Sequence, residues 1–128
     1  MLSQYNPKTV ASPFSRYSHG VETPDNARWL HVSGQVGVAP DGKVLDGAEA
    51  QIEQAWRNVL SVLEAAGMAP RDLVKVTTVL VNRADLPTAR AVRDRMLQGA
   101  EPASTLLFVA GLASTDWLVE IEAIAAAS

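Results

Sequence analysis

The hydrophobic period of this chain changes along its length, and the order of the changes limits the folds open to it. Residues 29–38, WLHVSGQVGV, alternate: Leu30, Val32, Val36 and Val38 fall on one side, with Trp29, His31, Ser33 and Gln35 on the other. That is the pattern of a strand with one buried face, and Gly34 and Gly37 point to a bulge or a close backbone approach within it. The turn chemistry of Pro40-Asp41-Gly42 follows. Beyond it Ile52, Ala55, Trp56, Val59, Leu60 and Leu63 recur at the helical spacing of three and four. The spacing predicts a helix over about 47–66, with Asp46 and Glu49 as a capping box and Gly67 as its stop. Residues 73–82, LVKVTTVLVN, are rich in β-branched side chains and predict a second strand. Asp85 is the expected N-cap of a second helix, with Pro87 in its first turn and its end near Leu97. Leu86, Ala89, Val92 and Met96 mark its inner face. Thr105–Ala110 and Trp117–Ala125 read as closing strands, and a further strand is expected around 16–21.

Two helices cannot cover both faces of a five- or six-stranded sheet. The expected architecture is therefore α+β: a mixed sheet with both helices packed on one face. The remaining face needs a partner, and the simplest is another copy of the chain. At 128 residues, with no linker, repeat or low-complexity tract, residues 1–128 form one domain. A chain that is 48% apolar and 20% charged is ordinary for a globular protein. The net charge of −3 gives no support to nucleic-acid binding, because phosphate recognition needs a concentrated basic surface. The absence of cysteine removes disulfides, thiolate catalysis and every cysteine-ligated metal site. The two histidines lack a metal-binding spacing, so neither metal nor other cofactor is expected. No stretch approaches a membrane span, and the N-terminal residues contain no apolar leader segment; a cytoplasmic location is the expectation.

In the last strand Trp117, Val119, Ile121, Ala123 and Ala125 share one wholly apolar face, while Leu118, Glu120, Glu122 and Ile124 share the other. The first face is core. A carboxylate on the second is either solvated or, at a subunit cleft, a candidate general acid/base. The stretch RYSHG at 16–20 gathers Arg16, Tyr17, Ser18 and His19, yet no nucleophile elbow accompanies any serine, and a catalytic triad is not supported. Arg83, Arg90, Arg93 and Arg95 give the second helix a basic character that ordinarily marks a solvated face. One of them turned inward would matter, since a guanidinium grips a carboxylate through paired hydrogen bonds.

Taken in order, the segments RYSHGV (16–21), WLHVSGQVGVAPDGKV (29–44), EAQIEQAWRNVLSVLEAAG (49–67), DLVKVTTVLVNRADLPTARAV (72–92), PASTLLFVAGL and LVEIEAIA resemble the Rid family, the YjgF-like reactive intermediate deaminases. The resemblance covers nearly the whole chain. It implies a chorismate-mutase-like α+β fold assembled as a homotrimer with a cleft between subunits. It also implies hydrolysis of an enamine or imine to a 2-oxo acid and ammonia. Tyr17 and Glu120 correspond to cleft residues, the glutamate positioning water, and Ser33, Gly34, Gln35, Ser104 and Thr105 to polar contacts with the ligand. The family's arginine in the motif P-A-R-S clamps the substrate carboxylate; here the motif reads Pro102-Ala103-Ser104-Thr105. A serine is uncharged and too short to replace that clamp, whose loss in a dry site costs roughly 2–5 kcal/mol of binding. Arg90 stands where the family often has an asparagine facing the same cleft, so a guanidinium there would relocate the anion site. Two readings follow: an enzyme acting by hydrolysis or tautomerisation on a reactive small molecule other than the usual 2-imino acid, or a non-catalytic trimer that binds a metabolite or partner protein.

Overall fold

The computed structural model describes residues 1–128 and contains six strands and two helices. Strands β1 (Ser3–Tyr5) and β2 (Gly20–Glu22) pair antiparallel as a small ribbon. Strands β3 (Arg28–Val36), β4 (Leu73–Leu80), β5 (Ala103–Phe108) and β6 (Val119–Ala127) form a sheet in the order β3-β6-β4-β5. It is mixed: β6 runs antiparallel to both neighbours, while β4 and β5 are parallel and joined through a helix. The six strands are thus divided four and two. The ribbon continues the sheet past β5 through a parallel bridge between Ser18 and Ala103. Ser18 is buried there, its amide donating to Pro102 O (3.1 Å) and its hydroxyl to Glu101 O (2.6 Å).

Helices α1 (Ala48–Ala65) and α2 (Leu86–Met96) cover one face of the sheet. From α1 come Ile52, Ala55, Trp56, Val59 and Leu63, and from α2 Ala89 and Val92. They meet Val76 and Leu80 of β4 and Val119, Ile121, Ala123 and Ala125 of β6 in one continuous core. Each fully buried aliphatic or aromatic side chain contributes about 1.5–3 kcal/mol, so these alternate strand positions decide which way the sheet faces. The helices are also joined on their outer sides: Glu53 accepts from Arg95 (2.6 Å) and Arg57 (3.2 Å). The Arg95 bond first, then that from Arg57, holds the Glu53 carboxyl below its ordinary range, so the link persists at neutral pH and is lost as acid protonates the group.

The element boundaries differ from the sequence-based expectation for local reasons. Helix α1 begins at Gly47, with φ of 88°, and no side chain caps it; the Asp46–Glu49 box does not form. Its end agrees, with Gly67 at φ 71° and Met68 N–H closing on Leu63 O (2.8 Å). Asp85 occupies the N-cap position of α2 without a capping bond. Strand β6 begins two residues later than Trp117, because the Leu118 amide donates to the side chain of Gln51 (2.9 Å). The N-terminal strand lies at 20–22 and not across 16–21.

Gln51 closes the end of the sheet. It is buried on α1, its amide nitrogen donating to Leu45 O and Asp116 O (3.0 Å each) while its oxygen accepts from Leu118. One side chain therefore ties the segment before α1 to the segment entering β6. Gly37 lies directly against it, where any Cβ would overlap the Gln51 side chain. Replacing Gln51 by Ala strands two carbonyls and one N–H in a buried setting. The expected cost is about 2–4 kcal/mol, read as a lower urea midpoint at unchanged m-value; a loss below about 0.5 kcal/mol would show that water serves these groups equally well.

Candidate functional site

The sheet separates the sequence-predicted site residues into two groups. On β5, Ser104 pairs with Val76 and Leu106 with Thr78, so both point to the helix side. Tyr17, Arg90 and Ser104 meet there in a half-open pocket of about 300 Å³ between α2, β5 and the segment 14–17. On β6, Glu120 pairs with Val36 and Val79 and points to the opposite, uncovered side. One face of the sheet carries the tyrosine and the other the glutamate.

The Tyr17 half is held by hydrogen bonds to α2 and within its own loop. Arg93 is the inward-turned arginine: it is buried, its guanidinium donating to Ser15 Oγ (2.9 Å) and to Asp94 Oδ1 (3.1 and 3.3 Å). Ser15 is thereby anchored to the helix, and the loop presents Tyr17 inward while Phe14 stays mostly exposed. The Tyr17 oxygen accepts the Phe14 N–H (3.2 Å), which leaves its own proton free to donate. Leu86, Leu106 and Phe108 supply an apolar wall, and Arg90 lies exposed at the pocket's edge.

The Glu120 half depends on a defect in β3. The register with β6 slips between Val32 and Gln35, and the extra residue reverses the side-chain alternation beyond it. Leu30 and Val32 pair with Ala125 and Ala123 on the core side, but Val36 pairs with Glu120 on the other. The uninterrupted alternation expected for 29–38 therefore fails at the bulge. At its centre a Cβ built on Gly34 would overlap Glu120 Oε2, so the carboxylate rests against bare backbone that only glycine provides. Ser33 is exposed beside it. Gln35 leaves the group: it pairs with Ile121, a core-side residue, and its amide turns back to Ser33 O (3.2 Å). Thr105 lies on the uncovered face but two strands away on β5, where it accepts from Lys75 Nζ (2.7 Å).

The uncovered face also carries Trp29 and Leu107, each about half exposed, and Ile124. Among the side chains no group of three His, Asp or Glu residues is arranged to hold a metal ion. No helix is long and apolar enough to cross a membrane. Two contributors were not visible as site residues in the sequence: Arg93, one of several similar arginines, and Phe14, whose backbone amide fixes the Tyr17 hydroxyl.

Residues 8–127 match the family described as endoribonuclease L-PSP. A mouse protein named 2-iminobutanoate/2-iminopropanoate deaminase is 35% identical over 111 residues, covering 85% of this chain and 79% of its own. The Salmonella typhimurium protein of the same name is 33% identical over 124 residues, covering 92% and 96%. In structure the chain is similar to a Yersinia pestis protein of the Rid family, YyfB, described as of unknown function: TM-score 0.89, 35% identity, 98% of each chain covered.

Substituting Gly34 by Ala tests the contact at the bulge. The atom it meets ends a flexible side chain, so the fold is expected to survive with a stability change within about 1 kcal/mol. The Glu120 carboxylate should be expelled from the β3 backbone, which a crystal structure of the variant would display; an unmoved carboxylate would refute the assigned role of Gly34.

Proposed function

The chain belongs to the Rid family, whose matching family model is described as endoribonuclease L-PSP, and from that membership we propose that it is an enzyme of small-molecule metabolism. In this reading it hydrolyses or tautomerises a reactive imine or enamine in a cleft between subunits of a homotrimer. The observation that carries the reading is the division of the site by the sheet. Tyr17 and Ser104 open toward α2 while Glu120 points away, so one chain offers two half-sites that back-to-back geometry keeps apart. A heterologous contact that seats the open edge of one copy's pocket, at β5 and the segment 14–17, on the uncovered face of the next would cover apolar surface there and bring one subunit's glutamate toward the next subunit's tyrosine.

The chemistry assigned to this cleft is addition of water to a C=N bond. Glu120 holds the water and accepts its proton as the oxygen bonds to the imine carbon, and the C=N electron pair moves to nitrogen, which takes up a proton. The resulting carbinolamine collapses with loss of ammonia, leaving a carbonyl. An enamine needs one earlier step, in which the protonated carboxyl delivers a proton to carbon. Tyr17 donates a hydrogen bond to the acceptor that gains charge, consistent with its oxygen being already occupied by Phe14 N–H. Ser104 supplies a neutral hydroxyl where the family motif has arginine, which argues against the standard 2-imino acid as the preferred substrate. The same replacement favours the second reading, a trimer that binds a metabolite without turning it over.

Glu120→Gln separates the two. The amide is nearly isosteric but cannot accept the proton, so an enzyme should lose about 10²–10⁴-fold in turnover while still binding ligand. Turnover of imines generated in situ and followed by ammonia release provides the measurement. Equal rates for wild type and variant would reject Glu120 as the base, and no turnover of any imine by the wild type would leave the binding trimer.

A further inference from the structure

Residues 7–17 carry Tyr17 into its pocket, yet almost nothing ties them to the rest of the molecule. None of them is fully buried, and Phe14, which lines the pocket, is 80% exposed. The segment is fastened at both ends: the His19 amide donates to Asn6 Oδ1 (2.8 Å), and buried Ser18 bonds to Pro102 O and Glu101 O. Between those ends a single hydrogen bond leaves it, from the Arg93 guanidinium to Ser15 Oγ (2.9 Å). Its other bonds are internal: Val10 N–H to Pro7 O, Tyr17 N–H to Ser15 O (3.0 Å) and Phe14 N–H to the Tyr17 oxygen (3.2 Å).

The last two bonds close Phe14, Ser15 and Tyr17 into one compact unit, so a displacement of Ser15 carries the phenol with it. Arg93 fastens that unit to α2. Its side chain is buried, and a guanidinium loses hydration there that an apolar residue of similar size does not need. Asp94 compensates the charge, accepting from Nε (3.3 Å) and Nη2 (3.1 Å). Neighbouring residues of a helix do not face each other, so this pair adds little to α2 itself. What the buried charge gains over an apolar residue is the bond to Ser15, strengthened because its donor is ionised. Ser15 and Arg93 flank the segments 16–21 and 72–92 that carry the family resemblance and belong to neither.

We propose that Arg93 and Ser15 are positioning residues that act through Tyr17. The guanidinium, braced by Asp94, holds Ser15; Ser15 sets the backbone of Tyr17 and, through the adjoining Phe14 amide, the place of its hydroxyl. The proposal rests on the preceding assignment of Tyr17 as a hydrogen-bond donor to the reacting molecule, and it adds how that donor is aimed. A donor held in place before the reaction stabilises developing charge without having to reorganise.

The chain has two tyrosines, so Tyr5→Phe, on exposed β1, leaves Tyr17 as the sole tyrosine whose ring signals can be followed by NMR after selective labelling. In that background Ser15→Ala should shift and broaden the Tyr17 signals while the urea midpoint stays unchanged, and Arg93→Met should alter them in the same way. Ser15→Thr, which keeps the hydroxyl acceptor, should restore them. In the turnover of imines Ser15→Ala should lower kcat about tenfold, the effect of one hydrogen bond, with KM changed less than about twofold. The same substitution added to Tyr17→Phe should have no further effect, because residues that act through one group are non-additive. Unmoved ring signals in Ser15→Ala, signals not restored by Ser15→Thr, or a full loss in kcat added to that of Tyr17→Phe would each overturn the proposal. A wild type without turnover rejects only the catalytic reading, and the ring signals then decide the positioning role alone.

Discussion

Strand β6 is hydrogen-bonded along both edges, to β3 and to β4, and that double pairing is the constraint on which the rest of the molecule depends. A strand so held cannot slip by one residue without turning Val119, Ile121, Ala123 and Ala125 out of the core. Its alternation therefore fixes Glu120 on the face that the helices do not cover. On that face the carboxylate lies against β3, and the missing side chain of Gly34 in the bulge makes room for it there. The position of the glutamate is thus a consequence of core packing on the opposite side of the same strand.

The Tyr17 half-site has a different origin. It is built from a loop that carries little core of its own and is placed by a few polar bonds: Arg93 to Ser15, Phe14 N–H to the Tyr17 oxygen, and Ser18 to the chain entering β5. Such bonds contribute individually about 1–3 kcal/mol at most. The loop is consequently easier to remodel than β6. Ser104 and Arg90 both lie on that half, while Glu120 is held by the pairing of β6.

Much of this was legible in the sequence wherever periodicity was long and strong. The faces of α1 and β6, a strand beginning at Leu73, expected to 82 and ending at Leu80, and the division into a helix-covered and an uncovered sheet face follow from apolar spacing. Gly34 and Gly37 announced an irregularity in β3 but not its consequence, because a bulge reverses the side-chain direction and so sends Val36 and Gln35 to faces opposite from simple alternation. Asp46 and Glu49 had the right types and spacing for a capping box, yet Gly47 took up the left-handed backbone that begins α1. Gln51 and Arg93 were hidden for a physical reason. A polar residue buried by satisfying backbone groups far away in sequence leaves no local pattern, and its partners at Leu45, Asp116, Leu118 and Ser15 are set only by the tertiary fold.

The central claim is that the reacting site is completed between copies, with Tyr17 from one chain and Glu120 from the next. Co-expressing Tyr17→Phe and Glu120→Gln chains with different affinity tags, and assaying the purified mixed oligomers for imine hydrolysis, tests it most directly. In a mixed trimer about one cleft in three has both native residues, as follows from a heterologous interface in which each copy contributes one half. Activity of about a third of wild type is predicted from two variants that are each nearly inactive alone. Mixed oligomers no more active than the separate variants would contradict it, since that is the result expected if both residues must come from one chain.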